Sequence, residues 1–221
     1  GGALAHLSLP DLAAPVLSAA LSRAGLTPAQ VDEVICSTAL GPGGNPARSI
    51  ALAAGLSEHV AGLSIDRQCA GGLDALALAR QMVLSGAADI VVAGGAESYS
   101  RQPLRYRTFA DGRPAEAYTQ APFTPWPDRD PDMAEAAAAL GRSQGISRAA
   151  QDDWAVESHA KACAQPPTEA ELVPLAGVST DAFTRRLTPA LCSRAKALSG
   201  DITAANAAVA ADAAAFLCKY I

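Results

Sequence analysis

The spacing of apolar residues changes period several times over the first hundred positions. Leucines and alanines recur at helical intervals over residues 10–24, and Gly25 follows as a C-terminal stop. Residues 31–37 form a short, nearly continuous apolar run that predicts a buried strand. The turn-rich GPGGNPARS then offers Asn45 as an N-cap and Pro46 as the first position of a helix that passes Leu52 and stops at Gly55. GLSIDR predicts a second strand and residues 71–85 a helix. ADIVVAGGAES predicts a third strand, most apolar over 90–93. Strands alternating with helices imply an α/β fold, mainly a parallel sheet covered by helices. Ligands of such sheets gather beyond the carboxyl ends of the strands.

The pattern breaks over residues 101–132, where Pro103, Pro114, Pro122, Pro125, Pro127 and Pro131 fall among many of the aromatics. This is an excursion from the sheet, a lid or loop domain. Helical spacing resumes over 133–141 and 147–163, with Ser147 as the second cap. Residues 165–198 are irregular, and DITAANAAVAADAAAFL reads as a turn followed by a return strand at 213–217. The expected organisation is an α/β domain over 1–101, a loop domain over 102–194, and a return segment of the first domain over 195–221.

Composition narrows the function classes. Half of the residues are apolar, largely alanine, which favours close helix packing. The net charge of −5 is spread along the chain, with no basic stripe for nucleic acid. No apolar run is long enough to span a bilayer, and the first residues lack a secretion signal pattern. Five cysteines without a CxxC pair, and three histidines without metal-ligand spacing, point to free thiols in a reducing cytoplasm and to no metal.

One thiol stands apart. In SIDRQCAGGLDALALARQMVLSG, Cys69 lies between the second strand and a helix apolar around much of its girth, expected to be central and buried. An unpaired cysteine is commonly a small packing residue. At the positive N-terminal end of a helix, however, a thiolate is stabilised and the same N–H groups can hold an oxyanion. Gly71 and Gly72 would let a substrate or another backbone approach the sulfur. Geometry alone leaves both readings open.

RQCAGGLDAL followed by GAADIVVAGGAES resembles the nucleophile segment of thiolases, the coenzyme A-dependent acyltransferases. VDEVICSTALGPGGNPAR is similar to that family's second strand and Asn-Pro-Ala-Arg turn, GISRAAQDDWAVESHAKA to a loop-domain helix, and GDITAANAAVAAD to its Thr-Ala-Gly-Asn turn. The resemblance implies a five-layered thiolase-like fold, a homodimer or homotetramer in the cytoplasm, and a role in fatty acid metabolism. It implies CoA thioesters as substrates with no cofactor. Cys69 would accept the acyl group, either from a 3-ketoacyl-CoA cleaved with CoA or from acetyl-CoA in condensation. Met133 would line the acyl pocket, with core filling as its alternative, and Asn206 would lie in a turn near the substrate.

The departures from the family pattern are specific. Its activating histidine and second cysteine belong to a C-terminal half whose Gly-His-Pro motif does not occur in this sequence. His6, His59 and His159 have other contexts, and His159 is expected on a solvated helix face. Cys163, Cys192 and Cys218 lack the Cys-x-Gly context and read as small packing residues. A first strand, expected ahead of GGALAHLSLP and in the middle of the sheet, is missing; its absence would leave core backbone groups unpaired. Asn206, Ala207, Ala208 and Val209 stand where thiolases often have Asn-Ala-Ser-Gly. A non-catalytic acyl-binding, lipid-binding or scaffold subunit is therefore the alternative, and a ketoacyl-carrier-protein synthase a third.

Among the remaining residues, Asn45, Pro46 and Arg48 read as a helix cap and a subunit contact. Gly94 and Gly95 read as sites of close backbone packing near a subunit interface. Trp126 and Phe123 read as loop-domain packing, with the lining of an acyl or CoA tunnel as the alternative, Asp128, Arg129 and Asp130 as a solvated charge run, and Glu97 as a paired carboxylate without a chemical role.

Overall fold

A computed structural model of the chain describes residues 2–181, 183–207 and 212–220. It divides into two compact units: Gly1–Pro103 with Glu169–Ser179 and Ala210–Ile221, and Leu104–Thr168 with Thr180–Val209. Of the segment read as 195–221, the described residues 195–207 fall in the second unit and 212–220 in the first.

In the first unit α1 spans Leu9–Arg23. Ser8 and Asp11 close its start as a reciprocal capping box, and Leu12, Ala13, Leu17 and Leu21 form its buried stripe. Then follow β1 (Glu33–Ser37), α2 (Pro46–Ala53), β2 (Ala61–Ile65), α3 (Gly71–Leu84) and β3 (Ile90–Ser98). The second unit contains β4 (Arg105–Arg107), β5 (Glu116–Tyr118), α4 (Met133–Ser143), α5 (Arg148–Ala164), α6 (Pro189–Ser193), β6 (Ala197–Ser199) and β7 (Ile202–Thr203). The chain returns to the first unit as β8, Asp212–Tyr220.

The main sheet has the order β2-β1-β3-β8. β1 is parallel to both neighbours, and β8 is antiparallel to β3 from Ile90↔Tyr220 to Ser98↔Asp212. The expected gap at the centre of the sheet does not exist. β1 and β3 are direct partners from Glu33↔Val91 to Ser37↔Gly95, so the groups thought to be orphaned are paired with each other.

Alternation along the strands separates two cores. Val34 and Cys36 of β1, Val92 of β3 and Phe216 of β8 pack with α1 and α2 on one face. Ile35, Val91 and Ala93 pack on the other with Ala75, Ala79 and Val83 of α3. Contrary to expectation, α3 is buried along one face only. Its small residues Gly71, Ala75 and Ala79 recur every fourth position and lie against the sheet, whereas Leu73 and Leu84 are 71% and 58% exposed. The all-round apolar pattern therefore records two surfaces, one packed and one open.

The second unit has a smaller core, in which Leu187, Cys192 and Ala205 pack with Ala155 and Val156. Asp132 caps α4 and Ser147 caps α5, as its position before the helix predicted. Among the described residues no helix is long and apolar enough to cross a membrane, and no cluster of side chains could hold a metal ion.

Candidate functional site

Strands β1, β2 and β3 run in parallel, so their carboxyl ends share one edge of the sheet. Cys69 follows the end of β2 by four residues and precedes α3 by two. Asp66 organises the turn between them: its Oδ1 accepts a hydrogen bond from the Gln68 N–H at 2.8 Å. Gln68 sits at φ +49°, in the left-handed region that most residues avoid. Arg67 pairs with Asp74 of α3 at 2.9 Å across the outside of the turn. Cys69 is exposed.

The helix start beside it is packed to the limit. A Cβ on Gly71 would come within 1.8 Å of Ser37 Oγ, while one on Gly72 would meet nothing within 4 Å. The two glycines expected to clear the way to the sulfur thus differ. Gly71 lets α3 lie on β1, and only Gly72 leaves open space.

Neighbouring loops are tied by side chains. Asn45 Oδ1 accepts from the Arg48 N–H at 3.2 Å and from the Ser64 hydroxyl at 2.6 Å, and Asn45 Nδ2 donates to the Gly62 carbonyl at 2.7 Å. Asn45 therefore caps α2, as read from the sequence, and also joins it to β2. Arg48 directs its guanidinium to the carbonyls of Val60 and Glu58 within the chain. Glu97, half-buried at the end of β3, accepts from the Thr38 hydroxyl at 3.0 Å and from the N–H groups of Ala39 and Leu40 at 2.8 and 3.1 Å.

The other sequence candidates lie in the second unit. Met133 is the first residue of α4 and is 62% exposed, so core filling does not describe it. The Asn206 amide is engaged internally. Its Nδ2 donates to Asp152 Oδ1 at 2.9 Å and to the Asp201 carbonyl at 3.0 Å, while Oδ1 accepts from the Thr203 N–H at 2.7 Å. Asp152 also holds Arg148 at 2.7 Å. Ala208 and Val209 lie outside the described residues.

His159 is half-buried rather than solvated: its Nδ1 accepts from the Arg185 N–H at 3.5 Å, and its ring lies 5.3 Å from that of Phe183. Cys163 is exposed and does not pack, whereas Cys192 is buried and Cys218 partly so. Arg129 lies over the Trp126 ring, and Asp130 accepts from the Phe123 N–H, so the charge run folds its own loop. Sequence reading left Glu97, Ser37 and Gln68 without roles. An aspartate two residues before a turn residue was the available signal for Gln68; the Glu97 contacts span 57–59 positions and leave no local signal.

The model of the thiolase N-terminal domain matches residues 1–218. A putative acetyl-CoA C-acetyltransferase of Bacillus subtilis is 40% identical over 216 residues, covering 94% of this chain and 55% of its own. The acetyl-CoA acetyltransferase of Cupriavidus necator is 37% identical, covering 97% of this chain and 61% of its own. The crystal structure of the Bacillus anthracis acetyl-CoA acetyltransferase superposes with a TM-score of 0.81 at 31% identity, over 100% of this chain and 61% of that one. The chain thus spans somewhat over half the length of these relatives. Both the parallel sheet with its antiparallel return strand and the residue pattern that fills it say that this chain belongs to the thiolase family.

Proposed function

We propose that this chain is the nucleophile-bearing part of an acyltransferase that works on CoA thioesters, with Cys69 as the acyl acceptor. The observation that carries the reading is the exposed thiol at the carboxyl edge of a parallel sheet, immediately ahead of a 14-residue helix. The unpaired N–H groups at the start of that helix could hold an oxyanion formed beside the sulfur. The names of the relatives, acetyl-CoA acetyltransferases, support the substrate class.

In the condensing direction the Cys69 thiolate attacks the carbonyl carbon of acetyl-CoA. The carbon–sulfur bond to CoA breaks, and CoA leaves as a thiolate that takes up the proton lost from Cys69. The enolate of a second acetyl-CoA then attacks acetyl-Cys69, which restores the thiolate. In the degradative direction Cys69 attacks the keto carbon of a 3-ketoacyl-CoA. Acetyl-CoA leaves as an enolate and is protonated, and the thiol of a second CoA takes the shortened acyl group from sulfur. Dividing the reaction at an acyl-cysteine replaces one difficult step by two easier ones. Proton transfer is assigned to a histidine and a second cysteine outside these 221 residues, and the working molecule is proposed to be a homo-oligomer.

Thiolysis of acetoacetyl-CoA by the intact protein tests the reading. Cys69→Ala is expected to lower kcat by at least about a thousandfold, on the scale seen when a nucleophile is removed. An equally active variant contradicts it. Tight binding of acyl-CoA without turnover would favour a non-catalytic acyl binder instead.

A further inference from the structure

The parts that hold Cys69 converge on two residues, Ser37 and Thr38. Ser37 Oγ lies where a Cβ on Gly71 would be, so the start of α3 rests on it. Its carbonyl oxygen lies 3.3 Å from where a Cβ on Gly95 of β3 would be. The Thr38 N–H donates to the Ile65 carbonyl at 3.1 Å, at the last residue of β2 before the Cys69 turn. A shift of Ser37–Thr38 would therefore be felt at α3, β2 and β3 together. Two of these contacts are made by backbone atoms and the third by the short Ser37 side chain, so in a close-packed interior a displacement here is passed on to its neighbours.

Glu97 of β3 holds Thr38 and the two residues after it, just past the end of β1. Its Oε1 takes the Thr38 hydroxyl, and its Oε2 takes the consecutive N–H groups of Ala39 and Leu40. Three donors on one carboxylate make charge-assisted bonds stronger than neutral ones. Beyond Leu40 the loop continues through Gly41, Gly43 and Gly44, whose backbone supplies no side-chain anchor of its own until Asn45.

We propose that Glu97 is a positioning residue for Cys69: by clamping Thr38, Ala39 and Leu40 it fixes the seat of α3 and of the turn before it, and so aims the sulfur at the substrate carbonyl. The inference rests on Cys69 being the acyl acceptor. It adds a carboxylate that does not touch substrate and whose removal slows the chemistry rather than the binding.

The test uses the intact protein with Glu97→Ala and Glu97→Gln and reads two reactions of the same sulfur. Acylation by acetyl-CoA is followed by the mass of the Cys69 peptide, and alkylation by iodoacetamide reports whether the thiol is present and open in a folded protein. Misplacing a reacting atom by about 1 Å can cost roughly a hundredfold. Glu97→Ala is accordingly expected to slow acylation at least about tenfold, with KM for acetyl-CoA within about twofold and alkylation within about threefold. Glu97→Gln, which keeps one acceptor oxygen, is expected to recover most of the loss. Unchanged acylation in Glu97→Ala overturns the proposal. So does a parallel collapse of acylation, alkylation and cooperative unfolding, which would make Glu97 a fold anchor only. If the unsubstituted protein is alkylated at Cys69 but never acylated there, the acyl-acceptor reading fails first and takes this inference with it.

Discussion

Gly71 and Gly72 look interchangeable in the sequence, yet only one has a neighbour within reach of a Cβ. Gly71→Ala forces a methyl into Ser37 Oγ, 1.8 Å away, and is expected to cost about 1–3 kcal/mol by overpacking. Gly72→Ala meets nothing within 4 Å and is expected to be neutral, or stabilising by roughly 0.4–1 kcal/mol. Urea unfolding of the two variants separates them, and equal midpoints would contradict the packing described. A second pair of like residues, Cys36 and Cys69, is separated by burial. Desolvation, with the Glu97 charge adding to it, pushes the Cys36 thiol up to about 12 from 9.0. Between those values the folded state holds a proton that the unfolded chain has lost. Stability is therefore full below about pH 9 and falls as pH rises, by up to about 1.4 kcal/mol per pH unit from this one group. Cys36→Ala lacks this slope. The stability gap between the two proteins should narrow from neutral to alkaline pH, and parallel curves would contradict the burial of Cys36. At this scale the sequence made visible what is local, such as Asn45 and Ser147 as caps. It hid what depends on distant strands meeting, such as the three donors on Glu97.

The strands and helices themselves follow from hydrophobic period, and their ends from Gly, Ser and Asn chemistry. Period cannot say which side of a helix is covered, and an apolar girth such as that of α3 predicts burial all round. In space Ala75 and Ala79 face the sheet, and Leu73, Ala77 and Leu84 are exposed. Nor does period give strand order; the direct β1–β3 pairing was missed because adjacency of parallel strands is a tertiary fact. The antiparallel return strand explains Gly94, where a Cβ would fall 2.0 Å from the Ala215 carbonyl oxygen. Gly94→Ala is expected to pry β8 from β3 at the centre of its ladder, seen as faster hydrogen exchange along β8; unchanged exchange would count against this register. In the second unit, α5 is joined to the 201–207 turn by Asp152 and Asn206. Truncating each to Ala, singly and together, should give a coupling of about 0.5–3 kcal/mol in a double-mutant cycle. Simple additivity would mean that the hydrogen bond contributes nothing.

For the whole molecule, the four family-like stretches lie in both units, and the match to the thiolase N-terminal domain extends over residues 1–218. The first unit supplies a layered sheet with an exposed cysteine, Cys69, past the carboxyl end of one of its parallel strands. Its resemblance to the thiolase family was legible because RQCAGGLDAL and GAADIVVAGGAES follow one another in the family's order. The role of the second unit was less so, since its turns use side chains such as Asn206 for internal bonds that motif reading assigns to substrate. Everything proposed for function depends on acyl transfer to one sulfur. The most direct measurement is peptide mapping by mass after brief incubation of the intact protein with acetyl-CoA. One acetyl group on the peptide containing Cys69, removed by added CoA and absent in Cys69→Ser, is the predicted result. An acetyl group on a different residue, or none on a folded protein whose Cys69 still reacts with iodoacetamide, would contradict it.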